Sequence, residues 1–205
     1  MKNYFFYTVI ILLSITNFSI KLYAQSTNEK YKALNDYFET IVKDTTQVVL
    51  VAKEKINSNE TLSIFGLNDL MIIDSAGNGK GDDTLFNKKD FEKMKKEYEN
   101  SCIAGKRIWW CNDDYWSQDA FRYKKVVLES MNRDKGIELI FEKYNGIDID
   151  VYGFSEPIYY QNNKYVVFTV HKSHMAGTKT IIVIMKKFKC KWIITHQGSN
   201  PNIIN

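Results

Sequence analysis

The sequence predicts an α+β domain: an antiparallel C-terminal β-meander with N-terminal helices packed on one face. Three observations carry that reading. GIDIDVYGFSEPIYY, residues 146–160, alternates apolar and polar positions, the period of a strand with one buried face. Three further strand-like runs follow at 165–171, 178–187 and 191–197, divided by the turn candidates Gln161-Asn162-Asn163-Lys164 and Lys187-Phe188-Lys189. Earlier in the chain, two segments carry apolar residues at spacings of three and four, which gathers them on one side of a helix.

The first of these helices is expected over 28–44, with Tyr31, Leu34, Phe38, Ile41 and Val42 on its buried stripe. Residues 47–56, centred on VVLVA, read as a strand because β-branched side chains suit a pleated backbone. Residues 61–73 are ambiguous and allow two short strands. DSAGNGKGDD, residues 74–83, reads as a loop. Its Lys80 is followed by Gly81 and Asp82, not by the Ser or Thr of a phosphate loop, and the closing glutamate of a calcium loop is missing. Weak calcium binding near Asp74, Asp82 and Asp83 remains open on composition. The second helix is expected over 87–100, capped by Asn87, with Phe91, Met94 and Tyr98 facing inward. Residues 121–128 fit helix or strand, and 136–141 is read as strand.

FSEPIYYQNNKYVVFTV and TIIVIMKKFKCKWII together resemble a group of exported proteins of Bacteroidetes that have no characterised activity. That group carries a Phe-Ser-x-Pro-Ile strand, a tight turn, an apolar strand and a closing Lys-x-x-x-Lys-Trp hairpin. The matching positions are Phe154, Ser155, Pro157, Ile158, Lys187, Lys191 and Trp192. Many of those proteins link the middle strands through glycine and cysteine; this chain has SHMAGT at 173–178, with Gly177 and no cysteine. The resemblance runs from the helix expected at 87–100 to the C-terminus. It implies the fold and no activity.

Residues 1–24 read as a signal peptide: Lys2, an apolar run through Tyr7–Leu13, and Leu22-Tyr23-Ala24 before Gln25. Ser14, Thr16, Asn17 and Ser19 interrupt the run too often for a permanent span of about 20 apolar residues. The expected product is a single α+β domain over 25–205, exported to the periplasm or secreted. The chain holds 28 Lys and Arg against 24 Asp and Glu, and Lys2 and Lys21 leave with the leader. The remaining balance is nearly neutral and its charges are interleaved, which argues against nucleic acid as a partner.

CIAGKRIWWCNDDYW, residues 102–116, is the densest unusual stretch. In an oxidising compartment its cysteines should pair. Cys102 with Cys111 is the favoured disulfide, while pairings of either with Cys190 stay open. Trp109, Trp110, Asp113, Tyr115 and Trp116 have the composition of a recognition platform for a carbohydrate, a peptide or an envelope protein. His171, His174 and His196 form a second constellation, placed by the meander at strand ends and acceptable to zinc as ligands. Asp148 and Asp150 share a strand face, and no Gly-x-Ser-x-Gly nucleophile motif occurs. The function expected is a non-catalytic binding or envelope-associated module using the aromatic disulfide loop. The alternative is a hydrolase with histidine-bound zinc.

Overall fold

The computed structural model describes residues 31–42, 44–74, 78–82, 84–99, 110–131, 136–144, 149–174 and 177–199, with backbone alone at 110–113, 136, 137, 139 and 141. The leader expected at 1–24 lies outside these residues. Among them, no helix is long and apolar enough to cross a membrane.

Helix α1 (Lys32–Ile41) is followed by strands β1 (Val49–Ala52) and β2 (Glu54–Ile56), helix α2 (Ser58–Gly66) and strands β3 (Leu70–Ile73) and β4 (Gly79–Gly81). Helix α3 (Lys88–Tyr98) precedes β5 (Trp110–Tyr115) and β6 (Val126–Glu129), and α4 (Gly136–Lys143) precedes β7 (Val151–Phe154), β8 (Ile158–Tyr160), β9 (Tyr165–His174), β10 (Gly177–Phe188) and β11 (Lys191–Gly198). One nine-stranded sheet runs β4-β3-β11-β10-β9-β7-β1-β6, with β8 also paired to β9; β2 and β5 form a separate ribbon.

The α+β class therefore holds, but the sheet is mixed. Strands β9, β10 and β11 are antiparallel neighbours, whereas β1 lies parallel to both β6 and β7. The N-terminal half thus supplies strands of the same sheet, with β1 next to one edge and β3 and β4 at the other. The helices also do not share one face. Along β9, Val166, Phe168 and Val170 pack with Leu34, Tyr37 and Phe38 of α1, while Tyr165 and Val167 pack with Leu62, Ile64 and Phe65 of α2. That alternation places α1 and α2 on opposite faces. A strand buried on both sides needs apolar residues at consecutive positions, and β9 is buried without a break from Tyr165 to His171.

Other elements depart from the periodicity reading for local reasons. Residues 61–73, expected to hold strands, give the end of α2 and then β3. Asn57 caps α2 by accepting from the Asn59 N–H at 2.9 Å. Residues 136–141, expected as strand, form α4, where positions 137, 140, 141 and 144 repeat at helical spacing. The loop expected at 74–83 contributes β4, one of the two edge strands, through its Gly-Lys-Gly. The Asn87 cap on α3 is present, with its side chain accepting from the Asp90 N–H. Gly66 allows α3 to approach α2: a Cβ there would lie 2.9 Å from the Phe91 ring. The 161–164 turn forms as expected, with Gln161, Asn162 and Asn163 all at positive φ, a region that asparagine tolerates better than most residues.

The FSEPI segment is where the strand on β9's outer side breaks. Strand β7 pairs with β9 at Val170–Ser173 and β8 pairs with it at Tyr165–Val167. Pro157, lacking an N–H, stands between them. Phe154 enters the α1 face and Ile158 the α2 face, both essentially inaccessible to solvent.

Candidate functional site

The break at 154–158 organises two polar constellations, one on each side. Toward α2, the Ser155 hydroxyl accepts from the Thr169 N–H at 2.9 Å and lies 2.9 Å from Thr61 Oγ1. Thr61 Oγ1 is in turn 2.7 Å from Thr169 Oγ1. All three residues are fully buried. Beside them, Glu60 Oε1 and His171 Nε2 are 3.2 Å apart, both side chains almost sealed from water. Glu60 Oε2 is buried and has no hydrogen-bond partner. Thr169, His171 and Ser173 lie on one face of β9, opposite Ile182, Thr180 and Thr178 of β10. A polar seam therefore divides the apolar cluster under α2 from the one around Leu50, Met131 and Ile140.

On the other side, Glu156 faces Lys55. Lys55 Nζ donates to Glu156 Oε1 at 2.6 Å and pairs with Asp114 Oδ1 at 2.6 Å, its side chain only 10% exposed. It also sits 5.1 Å from the Trp116 ring centre, a cation–π contact. Burial works against the ammonium, but the hydrogen bonds and charges of Asp114 and Glu156 outweigh it and hold the Lys55 pKa above the ordinary lysine value. Tyr31 donates its hydroxyl to Glu156 Oε1 at 3.0 Å. Burial first, and then the Glu156 charge, push its phenol up to about 12. Chemically this is a fixed charge clamp: at neutral pH the lysine is an ammonium and the tyrosine is protonated.

The clamp anchors the ribbon of β2 and β5. Glu54 is paired with Tyr115 and Ile56 with Trp110. Trp116, at the foot of β5, donates its N–H to the Lys53 carbonyl at 2.7 Å and its indole N–H to the Phe154 carbonyl at 3.2 Å. It is 2% exposed and meets Tyr31 edge-on at 5.3 Å. Trp116, expected on a recognition surface, is thus a core residue, because its indole N–H finds a backbone acceptor inside the fold. Tyr115, its neighbour in the extended chain, points outward at 45% exposure, with Lys53 5.4 Å from its ring.

Trp109 and Cys102 lie outside the described residues, and Trp110, Cys111 and Asp113 are described by backbone only, in β5. The ends of the intervening segment are placed, however. Ser58 donates to the Tyr98 carbonyl at 3.0 Å, and Trp110 is the strand partner of Ile56, so both ends adjoin the start of α2. No disulfide forms among the described residues, and Cys190 is an exposed free thiol beside the β10–β11 turn.

The three histidines do not meet. His171 is opposite Thr180 and His196 opposite Ile184, four residues along β10. With two interstrand steps between them, their backbones stand about 16 Å apart. The expectation that they share a sheet edge fails because β9 and β11 pair with different stretches of β10. His174, three residues from His171 on a strand, faces the other way. His196 instead bonds Asp82 Oδ2 at 2.9 Å and lies 3.0 Å from Thr195 Oγ1. Among the described residues, no group of three or more His, Cys, Asp or Glu side chains is placed to hold a metal ion. Asp150 pairs with Lys172 at 2.8 Å, and Asp148 lies outside the described residues.

Lys55, Glu156 and Glu60 were not singled out by the sequence, and Tyr31 was expected only as part of the first helix's buried stripe. A faint signal existed for Glu156, a charged residue between the apolar positions 154 and 158. Nothing local marked Lys55, one of three charges in a row at 53–55. No family model matches the chain, no curated protein matches it, and no solved structure matches it.

Proposed function

We propose that the protein is an exported, non-catalytic binding module whose working surface is the β2–β5 ribbon and the aromatic segment that enters it. The observation that carries this reading is the mounting of Tyr115. Its ring is exposed, while the next residue, Trp116, is buried and the Lys55–Asp114–Glu156 clamp secures the ribbon's base. A ring held on a fixed base loses little entropy when it binds, which is what a recognition surface needs. Trp109 and Trp110 precede it on the same strand or its approach, and a Cys102–Cys111 disulfide would staple that approach.

The test is an array of soluble polysaccharides and peptides probed with labelled mature protein. Binding to a defined class is expected, weakened at least tenfold by Tyr115→Ala with an unchanged melting temperature. Equal binding by wild type and Tyr115→Ala, or no binding to either class, would remove this surface from consideration. Trp116→Ala is unsuitable as a binding test, because it excavates the core.

A further inference from the structure

A second, independent site lies on the opposite end of α1. A cavity of about 320 Å³ opens between α1 and the segment leading to β6, lined by Asn35, Phe38, Glu39, Val42, Thr45, Arg122 and Tyr123. Its volume is at the lower end of small-molecule sites and corresponds to about ten water-sized groups.

Phe38, Val42 and Tyr123 give the cavity its apolar surface, and the polar groups of Asn35, Glu39 and Tyr123 beside them are engaged. Asn35 gives its side-chain N–H groups to the Tyr31 and Ala120 carbonyls, both at 2.9 Å, and accepts from the Arg122 N–H at 2.7 Å. The Tyr123 hydroxyl lies against the Asp44 and Gln47 carbonyls, and the residue lines the cavity. Arg122 is the exception. Its Nη2 bonds Asp36 Oδ1 at 2.7 Å and touches Glu39 Oε1 at 3.4 Å. Among the described residues its Nε and Nη1 make no hydrogen bond, and the side chain is 44% exposed. The two acids are partly drawn off, since Asp36 Oδ2 accepts from the Trp192 N–H and Glu39 Oε2 pairs with Lys191. A guanidinium with spare donors at the rim of an apolar cavity matches a carboxylate carried on a compact apolar body.

We infer that this cavity binds a small monocarboxylate whose aromatic or short aliphatic portion packs on Phe38, Val42 and Tyr123 while its carboxylate accepts from Arg122. The site does not depend on the ribbon, so Tyr115→Ala leaves it intact.

The experiment titrates full mature protein with phenylacetate and with its neutral isostere phenylacetamide, by calorimetry and ligand-observed NMR. Saturable phenylacetate binding is expected, at least tenfold tighter than the amide. Val42→Trp, which fills the cavity, should abolish it with folding retained by circular dichroism. Arg122→Lys keeps a cation for buried Asp36 but loses the planar donor set, and should erase the preference for the carboxylate. Absence of saturation at millimolar ligand, equal affinity for acid and amide, or undiminished binding in Val42→Trp would each overturn the inference.

Discussion

The two faces of the sheet are built on different principles. The α1 face is one continuous apolar cluster, in which Phe154 and Phe168 meet Tyr37 and Phe38 edge-on or tilted at 5.3 to 6.2 Å. The α2 face is two apolar clusters parted by buried hydroxyls, a carboxylate and an imidazole. On the first face, most of the stability comes from area and packing, with the buried polar groups of Asn35 and Asp36 hydrogen-bonded at the cluster's margin. On the second, it depends on each polar group finding its partner, and an unmet partner costs more than a met one contributes.

Phe154→Ala should be the most damaging single change, costing about 3–5 kcal/mol by opening a cavity at a fully buried ring. Urea unfolding measures it, and a loss below about 1 kcal/mol would mean that the α1 face is not close-packed. Thr61→Val tests the other face. Removing that hydroxyl strands Thr169 Oγ1 and should cost about 1–3 kcal/mol. The double change Thr61→Val with Thr169→Val removes both ends of the bond and should be less destabilised than Thr61→Val alone. Simple additivity of the two would refute the hydroxyl chain.

A smaller effect should appear as acid sensitivity where Asp82 meets His196 of β11. Hydrogen bonds from Thr84, and then from His196, hold the Asp82 carboxyl at about 2, below its ordinary 3.8. A carboxylate whose folded pKa is depressed adds stability above its unfolded value, and that contribution disappears as pH falls through the folded one. The melting temperature of the wild type should therefore drop between about pH 4 and pH 2 more steeply than that of Asp82→Asn. Parallel curves would remove Asp82 from the acid response. The smallest change expected is Lys95→Gln on exposed α3. Its pairing with Glu99 at 3.9 Å should be worth about 0.3 kcal/mol, near the limit of detection.

The strands at 165–174, 177–188 and 191–198 and the helix at 88–98 follow from period and capping, because those signals are local. The reading of 136–141 as strand failed where Ile137, Ile140, Phe141 and Tyr144 satisfied helical spacing over a stretch only 8 residues long. Trp116 was misplaced because composition cannot show that its indole N–H meets the Phe154 carbonyl, 38 positions away. The histidine site failed on register: the extra residue Thr195 and the pairing of His196 with Ile184 are properties of the ladder.

The sequence by itself therefore determined the α+β class, the antiparallel C-terminal strands and their turns, since alternation, turn chemistry and caps act between near neighbours. Only the tertiary structure decided that β1 inserts parallel to β6 and β7, and that α1 and α2 take opposite faces. It also decided that Ser155 and Glu156, adjacent in one motif, serve two separate polar clusters. Those outcomes depend on groups like Lys55 and Glu156, 101 residues apart, being brought together out of water. There, burial raises the cost of every unmet partner and makes the pairing specific.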